Sequence, residues 1–176
     1  MRKYHIVLVP DAKVAAVAED FALTHFASDN EGLCIGHHGQ LPHVTITQTE
    51  ASDENADVGA LYAAFLKLHW DEAVALEFGD YYHDVEKPYC GVRIINRPDL
   101  QKLHDQSVEL FRHLGYRVKG KVNEDYDPHL TFAKTNLRIN DPINLPDALI
   151  GKSTGWRLEF GYCGDHGAYQ GRYEPA

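Results

Sequence analysis

Cysteine and long apolar runs are scarce in this sequence of 176 residues, and their scarcity excludes whole classes of protein. The three cysteines lie far apart with no CxxC pair, which argues against a disulfide framework and a cysteine-based zinc site. No apolar run is long enough to span a bilayer. Residues 1–4 precede the first strand-like run without the apolar core of a signal peptide, so we expect a cytoplasmic protein.

Positive charge is the second shortage, with 17 lysine and arginine residues against 26 aspartate and glutamate residues and a net charge of −9. A general binder of long nucleic acid should be basic, because neutralising phosphates supplies most of its nonspecific affinity. That function is therefore excluded. An acidic protein can still process the end of a nucleic acid or a small nucleotide if positive groups are concentrated in a cleft. The glycine-rich nucleotide motifs and the GxSxG motif are absent as well.

Apolar residues recur with strand and helix periods in alternation. A β-rich run at 4–10 is followed by a helical stripe over 14–22, and a polar loop then leads to the next strand. The run 73–78 alternates like a strand, and 79–88 is expected to form a loop. The same order of strand, helix and loop begins again at residue 89. Alternating strands and helices predict an α+β or α/β class.

Two octets with nearly the same letters follow these two series. Residues 42–49 read PHVTITQT, and residues 128–135 read PHLTFAKT. In a strand, residues i and i+2 point to the same face, so each octet projects a histidine and a threonine together. A single His-x-Thr is usually structural in a chain with eleven histidines. Two copies in matching contexts favour one site shared between two halves of the chain.

The spacing supports an internal duplication. The separation along the chain from Tyr4 to His43 equals that from Tyr89 to His129 to within one residue. The predicted architecture is a single bilobal domain, 1–176, whose duplicated halves span approximately 1–88 and 89–176.

Two imidazoles and two hydroxyls that face one cleft suit phosphodiester chemistry without a metal. The pairs are His43 with Thr45 and His129 with Thr131. Opening a cyclic phosphate needs a base that activates water and an acid that protonates the leaving ribose oxygen, and histidine can do either near neutral pH. Threonine hydroxyls can bind the nonbridging phosphoryl oxygens and stabilise developing charge. This chemistry alone does not distinguish the acid from the base.

The two octets, and above all the stretch DYDPHLTFAK, resemble the 2H phosphoesterase superfamily, in particular its bacterial RNA 2′,3′-cyclic phosphodiesterases, also called 2′-5′ RNA ligases. The resemblance implies a bilobal α+β fold in which two pseudo-symmetric antiparallel sheets line a central cleft and helices pack outside. It implies opening of the 2′,3′-cyclic phosphate of an RNA terminus or small nucleotide to a 2′-phosphate. It implies no cofactor and no metal, and we expect no membrane and no obligate protein partner.

Carried over by position, the resemblance makes both His-x-Thr pairs catalytic, with His43 as general acid and His129 as general base. One of the aspartates before the second octet, Asp125 or Asp127, would orient His129 through its far ring nitrogen.

Three further residues are expected to bind substrate. Tyr4 occupies a first-strand position where the family commonly has an aromatic residue, and Tyr169 follows the stretch GDHGA. Lys134 stands where many relatives have arginine, so it keeps the charge and loses bidentate recognition of phosphate. Strict alternation along the strand would point Lys134 away from His129.

Three alternatives stay open. A 2′,5′-phosphodiester hydrolase or ligase would use the same acid–base pair. A non-catalytic nucleotide-binding module would keep the cleft without turnover. A histidine-based metal protein would use the stretch HHGQLPH, where His37, His38 and His43 lie close together, although their spacing matches no standard zinc pattern.

Overall fold

The computed structural model describes residues 3–27, 32–50, 57–84, 88–95, 98–120, 125–136 and 143–175. Within them lie three α-helices and nine β-strands, which confirms the α+β class. The helices are α1 (Ala12–Phe26), α2 (Val58–Phe65) and α3 (Pro98–His113). The strands are β1 (Lys3–Val9), β2 (Val44–Glu50), β3 (Leu76–Asp84), β4 (Tyr89–Ile94), β5 (Arg117–Lys119), β6 (His129–Lys134), β7 (Gly151–Ser153), β8 (Arg157–Cys163) and β9 (Tyr169–Arg172). No helix in these ranges is long and apolar enough to cross a membrane.

The strands form an antiparallel sheet whose order is symmetric about its centre. The order is β7-β3-β4-β6-β2-β1-β8-β9, and β5 pairs with β2. At the centre, β2 and β6 are joined by the single residue pair Val44–Leu130. The two sheets that the sequence predicts are the two sides of this junction, and hydrogen bonding runs through both.

In each half, one helix packs on the octet strand of the other half. Helix α1 covers β6, where Phe21 packs on Phe132 with ring centroids 5.0 Å apart. Helix α3 covers β2, where Nδ1 of His104 donates to the carbonyl of Ile46 over 2.6 Å. The segments that follow the two helices cross over too, since β5 pairs with β2 and the backbone of 33–35 bonds to β6. The halves therefore share one apolar core.

Helix α1 begins at a side-chain cap. The carboxylate of Asp11 accepts hydrogen bonds from the backbone N–H groups of Lys13 and Val14 at 2.8 and 2.9 Å. The first turn of a helix leaves such groups without partners in the helix, so the cap fixes where α1 starts. Its apolar stripe is buried against the sheet and comprises Val14, Ala18, Phe21, Ala22 and Phe26.

The expectation of a loop over 79–88 is wrong for its first part, because β3 runs on to Asp84. Gly79 indicates a turn in the sequence, but here its missing side chain makes room for Ile95, whose Cγ2 would lie 2.4 Å from an added Cβ. The register against β4 shifts between Phe78 and Tyr81, so the strand continues past the glycine through a bulge. Residues 85–87 lie outside the described ranges.

Both octet strands also carry a bulge just after the threonine. Against β1 and β4 the registers show one extra residue in each octet strand, Ile46 in β2 and Phe132 in β6. An extra residue reverses the alternation of faces beyond it. Gln48 and Lys134 therefore return to the face that carries the histidines.

Candidate active site

The junction at the centre of the sheet brings the two His-x-Thr pairs together. In an antiparallel pair centred on that junction, the flanking residues lie crosswise, so that His43 is beside Thr131 and Thr45 is beside His129. All four side chains line one cavity of about 650 Å³. The four residues that the octets single out therefore converge on a single space between the halves.

The two imidazoles are oriented in the same way. Nδ1 of His43 donates to the carbonyl of Leu41 over 2.8 Å, and Nδ1 of His129 donates to the carbonyl of Asp127 over 2.7 Å. Each acceptor lies two residues back, across the proline that opens the octet, whose φ is fixed by its ring. Because Nδ1 carries the proton of each neutral ring, Nε2 is the nitrogen that can exchange a proton with a ligand.

Burial makes the two histidines electrostatically different. His43 is 9% exposed, whereas His129 is exposed at the mouth of the cavity. Burial lowers the pKa of His43 to about 4; the hydrogen bond to Leu41 opposes this effect, and the nearby charge of His129 adds to it. His43 is therefore neutral at pH 7.

The prediction that Tyr4 binds substrate is wrong. Tyr4 is 2% exposed, and its ring stacks on that of Phe160 in the core with centroids 5.5 Å apart. Alternation along β1 points the next residue, His5, to the cleft. His5 lines the cavity, and its ring centroid lies 5.8 Å from that of His43.

Lys134 lies on the cleft face of β6 but is not among the residues that line the cavity. The bulge at Phe132 reverses the strict alternation that would have turned it to the other face. Lys134 pairs with Tyr89, as Gln48 pairs with His5 in the other half. Tyr89, Gln48 and His5 all line the cavity. A contact between Lys134 and substrate stays a prediction.

Tyr169 forms part of the cavity wall beside the first histidine. Its ring centroid is 5.7 Å from that of His43, and its side chain is fully buried. Its hydroxyl donates to Oε2 of Glu159 over 2.8 Å, while its backbone carbonyl accepts from the N–H of Leu41 over 3.0 Å. The hydroxyl is therefore already engaged by a carboxylate. Contact of the Tyr169 ring with substrate stays a prediction.

A cluster around the second histidine is not indicated by the sequence patterns. Oη of Tyr82 lies 3.3 Å from Oγ1 of Thr131, and the tyrosine ring meets the ring of His129 edge-on at 5.4 Å. The guanidinium of Arg93 lies 5.2 Å from the centre of the Tyr82 ring and pairs with the carboxylate of Asp127. Of the two candidate aspartates, Asp127 thus orients His129 through its backbone carbonyl, and its carboxylate holds Arg93.

The lysine and arginine side chains that line the cavity are each paired with a carboxylate. Arg93 pairs with Asp127, and Nζ of Lys119 lies 2.8 Å from Oε2 of Glu50. Asp84 also lines the cavity. In the described ranges, lysine and arginine therefore bring no excess of positive charge to the cavity.

The HHGQLPH stretch does not assemble a metal centre in the part of the chain that the structure describes. There, no three histidine, cysteine or carboxylate side chains are grouped so that they would hold a metal ion. The rings of His37 and His38 contact each other with centroids 4.9 Å apart. Nδ1 of His43 donates to the backbone carbonyl of Leu41.

No family model and no curated protein sequence matches the chain, whereas solved structures do. E. coli LigT in apo form matches with a TM-score of 0.59 at 10% identity, over 93% of this chain and 90% of that one. E. coli LigT complexed with 3′-AMP matches with a TM-score of 0.60 at 12% identity, over 91% and 84%. The ns2 PDE domain of MHV matches with a TM-score of 0.50 at 18% identity, over 89% and 99%.

These structures are members of the 2H phosphoesterase superfamily, so the fold that the resemblance implies is confirmed. At 10–18% identity the likeness is one of fold. The chemistry rests on the residues of the cavity.

Proposed function

We propose that this protein opens 2′,3′-cyclic phosphates to 2′-phosphates by histidine acid–base catalysis that needs no metal. The proposal is supported chiefly by one observation, that two identically oriented His-x-Thr pairs line the same cavity. LigT, which shares the fold, has been crystallised with 3′-AMP, a nucleotide with a phosphate on its ribose. A phosphate bound between the pairs would meet two imidazoles and two hydroxyls.

The reaction assigns one role to each side chain. The hydroxyls of Thr45 and Thr131 donate to the nonbridging phosphoryl oxygens and stabilise the charge that develops on them. Nε2 of one histidine removes a proton from the attacking water, whose oxygen forms the new bond to phosphorus. The bond from phosphorus to O3′ breaks, and Nε2 of the other histidine protonates that oxygen. The product keeps its phosphate on O2′.

We assign the base role to His43 and the acid role to His129, which reverses the assignment that the resemblance implies. A general base must be neutral before the reaction, and burial keeps His43 neutral at pH 7. A general acid must carry a proton, and the exposed ring of His129 bears a positive charge at less cost than a buried one.

Replacing the leaving O3′ of the substrate by sulfur is expected to separate the two roles. A thiolate leaves without protonation, because its pKa is far below that of an alcohol, so the general acid becomes dispensable. His129→Ala should then recover most of its lost rate on the sulfur substrate, whereas His43→Ala should stay slow on both substrates. Single-turnover rates of the two variants on the two substrates measure this. Recovery in His43→Ala alone would contradict the assignment and leave the reaction itself standing.

The cavity favours a ligand with a single phosphate. Its arginine and lysine are already paired with Asp127 and Glu50, so additional phosphates of a long RNA would meet no excess positive charge from them. We therefore propose a cyclic mononucleotide or a short RNA end as the substrate.

A substrate screen in the presence of a chelator tests the proposed function. The substrates are 2′,3′-cyclic mononucleotides, oligonucleotides that end in a cyclic phosphate, and 2′,5′-linked oligoadenylate. We expect turnover of the cyclic mononucleotides, and turnover slower by at least about 10²-fold in the His43→Ala/His129→Ala double variant. Turnover of the oligoadenylate alone would favour the 2′,5′-phosphodiester hydrolase or ligase. Ligand binding without any turnover would favour the binding module, and activity that requires added metal would contradict the metal-independent mechanism.

A further inference from the structure

Three neighbouring strands put Tyr82, Gly91 and Thr131 side by side in one row across the sheet. Tyr82 in β3 pairs with Gly91 in β4, which pairs with Thr131 in β6. A Cβ at Gly91 would lie 2.2 Å from the backbone oxygen of Leu130, so this position tolerates only glycine. Paired residues of neighbouring strands point to the same face. The tyrosine side chain therefore extends over the glycine, and its Oη reaches to 3.3 Å from Oγ1 of Thr131.

The equivalent row in the other half lacks this arrangement. Glu159 in β8 pairs with Val7 in β1, which pairs with Thr45 in β2. Val7 is fully buried and holds the register position that corresponds to Gly91. The carboxylate of Glu159 instead accepts the hydrogen bond from Tyr169. Among the described residues, a tyrosine hydroxyl thus lies at the side-chain oxygen of the second threonine, whereas the tyrosine hydroxyl at the first, that of Tyr126, donates to the backbone carbonyl of Thr45 over 3.0 Å.

The ring of Tyr82 is held on two sides. It meets the ring of His129 edge-on, and Arg93 lies over it with its guanidinium 5.2 Å from the ring centre. Arg93 is held in turn by Asp127, whose backbone carbonyl orients His129. Burial raises the pKa of the Tyr82 hydroxyl well above its usual value, so the hydroxyl keeps its proton throughout the working range of pH.

We propose that Tyr82 is a positioning residue of the phosphate site, whose hydroxyl donates to Oγ1 of Thr131 and thereby directs the threonine's own proton at a nonbridging phosphoryl oxygen. A threonine hydroxyl has one proton and can accept two hydrogen bonds, so an incoming donor restricts where its proton points. A donor already aimed at the place where charge develops stabilises the transition state without reorganisation. This inference rests on the proposed function, and Tyr82 acts through Thr131 without bonding to the substrate.

Tyr82→Phe tests the inference with a matched control on the same strand. We expect kcat to fall by roughly ten- to a hundredfold with little change in KM, because the loss falls on an interaction that strengthens in the transition state. Tyr81→Phe removes a hydroxyl from the neighbouring residue, whose ring packs against the core, and should leave kcat unchanged. In a Thr131→Val background, Tyr82→Phe should cost no further rate, a coupling that a merely structural role does not produce.

Binding of orthovanadate, measured by calorimetry, gives a readout that does not need turnover. Its affinity should fall by about tenfold in Tyr82→Phe, about the worth of one hydrogen bond, and should be retained in Tyr81→Phe. Unchanged kcat and unchanged vanadate affinity in Tyr82→Phe would overturn the inference, as would fully additive losses in the Thr131→Val background. Turnover of cyclic phosphate by the unaltered protein would leave the proposed function intact in those cases. Tyr82-dependent vanadate binding without any turnover would support the inference and contradict the proposed function.

Discussion

His43→Ala and His129→Ala are each expected to lower kcat/KM for a 2′,3′-cyclic mononucleotide by about 10²–10⁴-fold. Each substitution removes the Nε2 that takes up or supplies a proton in the transition state, and each leaves the other histidine without its counterpart. The double variant should be little slower than the slower single variant, because acid and base act in one transition state and their losses do not add. Initial rates over a range of substrate concentrations, measured in chelator, give the comparison.

His113→Ala is the matched control for these variants. His113 is exposed at the end of α3 and does not line the cavity, so its loss should leave the rate unchanged. Circular dichroism and melting curves establish that each variant is folded. Rates within a few-fold of the unaltered protein in either His43→Ala or His129→Ala would contradict the acid–base roles. Retained ligand affinity in such variants would favour the nucleotide-binding module.

Acidification from pH 7.5 to pH 4.5 is expected to lower the free energy of unfolding by on the order of 5 kcal/mol. Burial lowers the pKa of His5 to about 3 and that of His43 to about 4, and it lowers the pKa of His104 as well. In the unfolded chain these groups titrate near 6.5, so unfolding takes up protons below that pH. The contribution of the buried neutral histidines is therefore complete above pH 6.5 and is lost as the pH falls towards the folded-state values.

The magnitude follows from the two histidines with the lowest pKa values. Between pH 6.5 and pH 4.5, each of them loses about 1.4 kcal/mol of its contribution to the free energy of unfolding per pH unit, over about two units. A domain of this size has a total stability of about 5–15 kcal/mol, so the loss approaches the threshold of acid unfolding. Urea denaturation at a series of pH values measures the free energy directly.

Two variants separate the buried histidines from other acid-sensitive groups. His5→Phe keeps an aromatic ring in the cleft and removes one of the titrating groups, so the acid-induced loss should shrink by roughly half. His113→Gln changes a histidine that is exposed in the folded protein and should leave the loss as it was. Equal acid sensitivity in His5→Phe and in the unaltered protein would contradict this account of pH-dependent stability.

The central four residues could be predicted from the sequence because their placement depends on short-range geometry. The period of two along a strand puts His43 with Thr45 and His129 with Thr131, whatever the rest of the chain does. The repeat of the octet indicates that the halves share a site. The single pair of residues that joins β2 to β6 brings the two His-x-Thr pairs side by side. The internal duplication remains an interpretation of the repeat, and the symmetric strand order agrees with it.

The positions that follow the threonine of each octet, and the strands that pair with them, depend on bulges that the sequence does not indicate. One extra residue at Phe132 returns Lys134 to the cleft face, where strict alternation points it away. The matched spacing makes Tyr4 the counterpart of Tyr89. In the hydrogen-bonded registers the counterpart is His5, because His5 pairs with Gln48 as Tyr89 pairs with Lys134, and a one-residue slip exchanges core for cleft. The assignment of Tyr4 to substrate binding fails for this reason.

Tyr82 and the burial of His43 depend on contacts between segments that are distant in sequence. Gly79 is typical of a turn, so the sequence predicts a loop where β3 continues to Tyr82. The contact that explains the glycine is with Ile95, which occupies the space beside it. The low pKa of His43 arises from the walls that other elements build around it, including Tyr169. No local pattern reports either fact.

The most direct test of the central claim is ³¹P NMR of 2′,3′-cyclic AMP incubated with chelator-treated protein in H₂¹⁸O. The two His-x-Thr pairs acting on one phosphate predict that the cyclic phosphate signal is replaced by that of the 2′-monophosphate, with one ¹⁸O in the product. They also predict that His43→Ala/His129→Ala leaves the cyclic signal unchanged over the same time. A cyclic phosphate signal that persists with the unaltered protein, or a product that forms equally fast with the double variant, would contradict the claim.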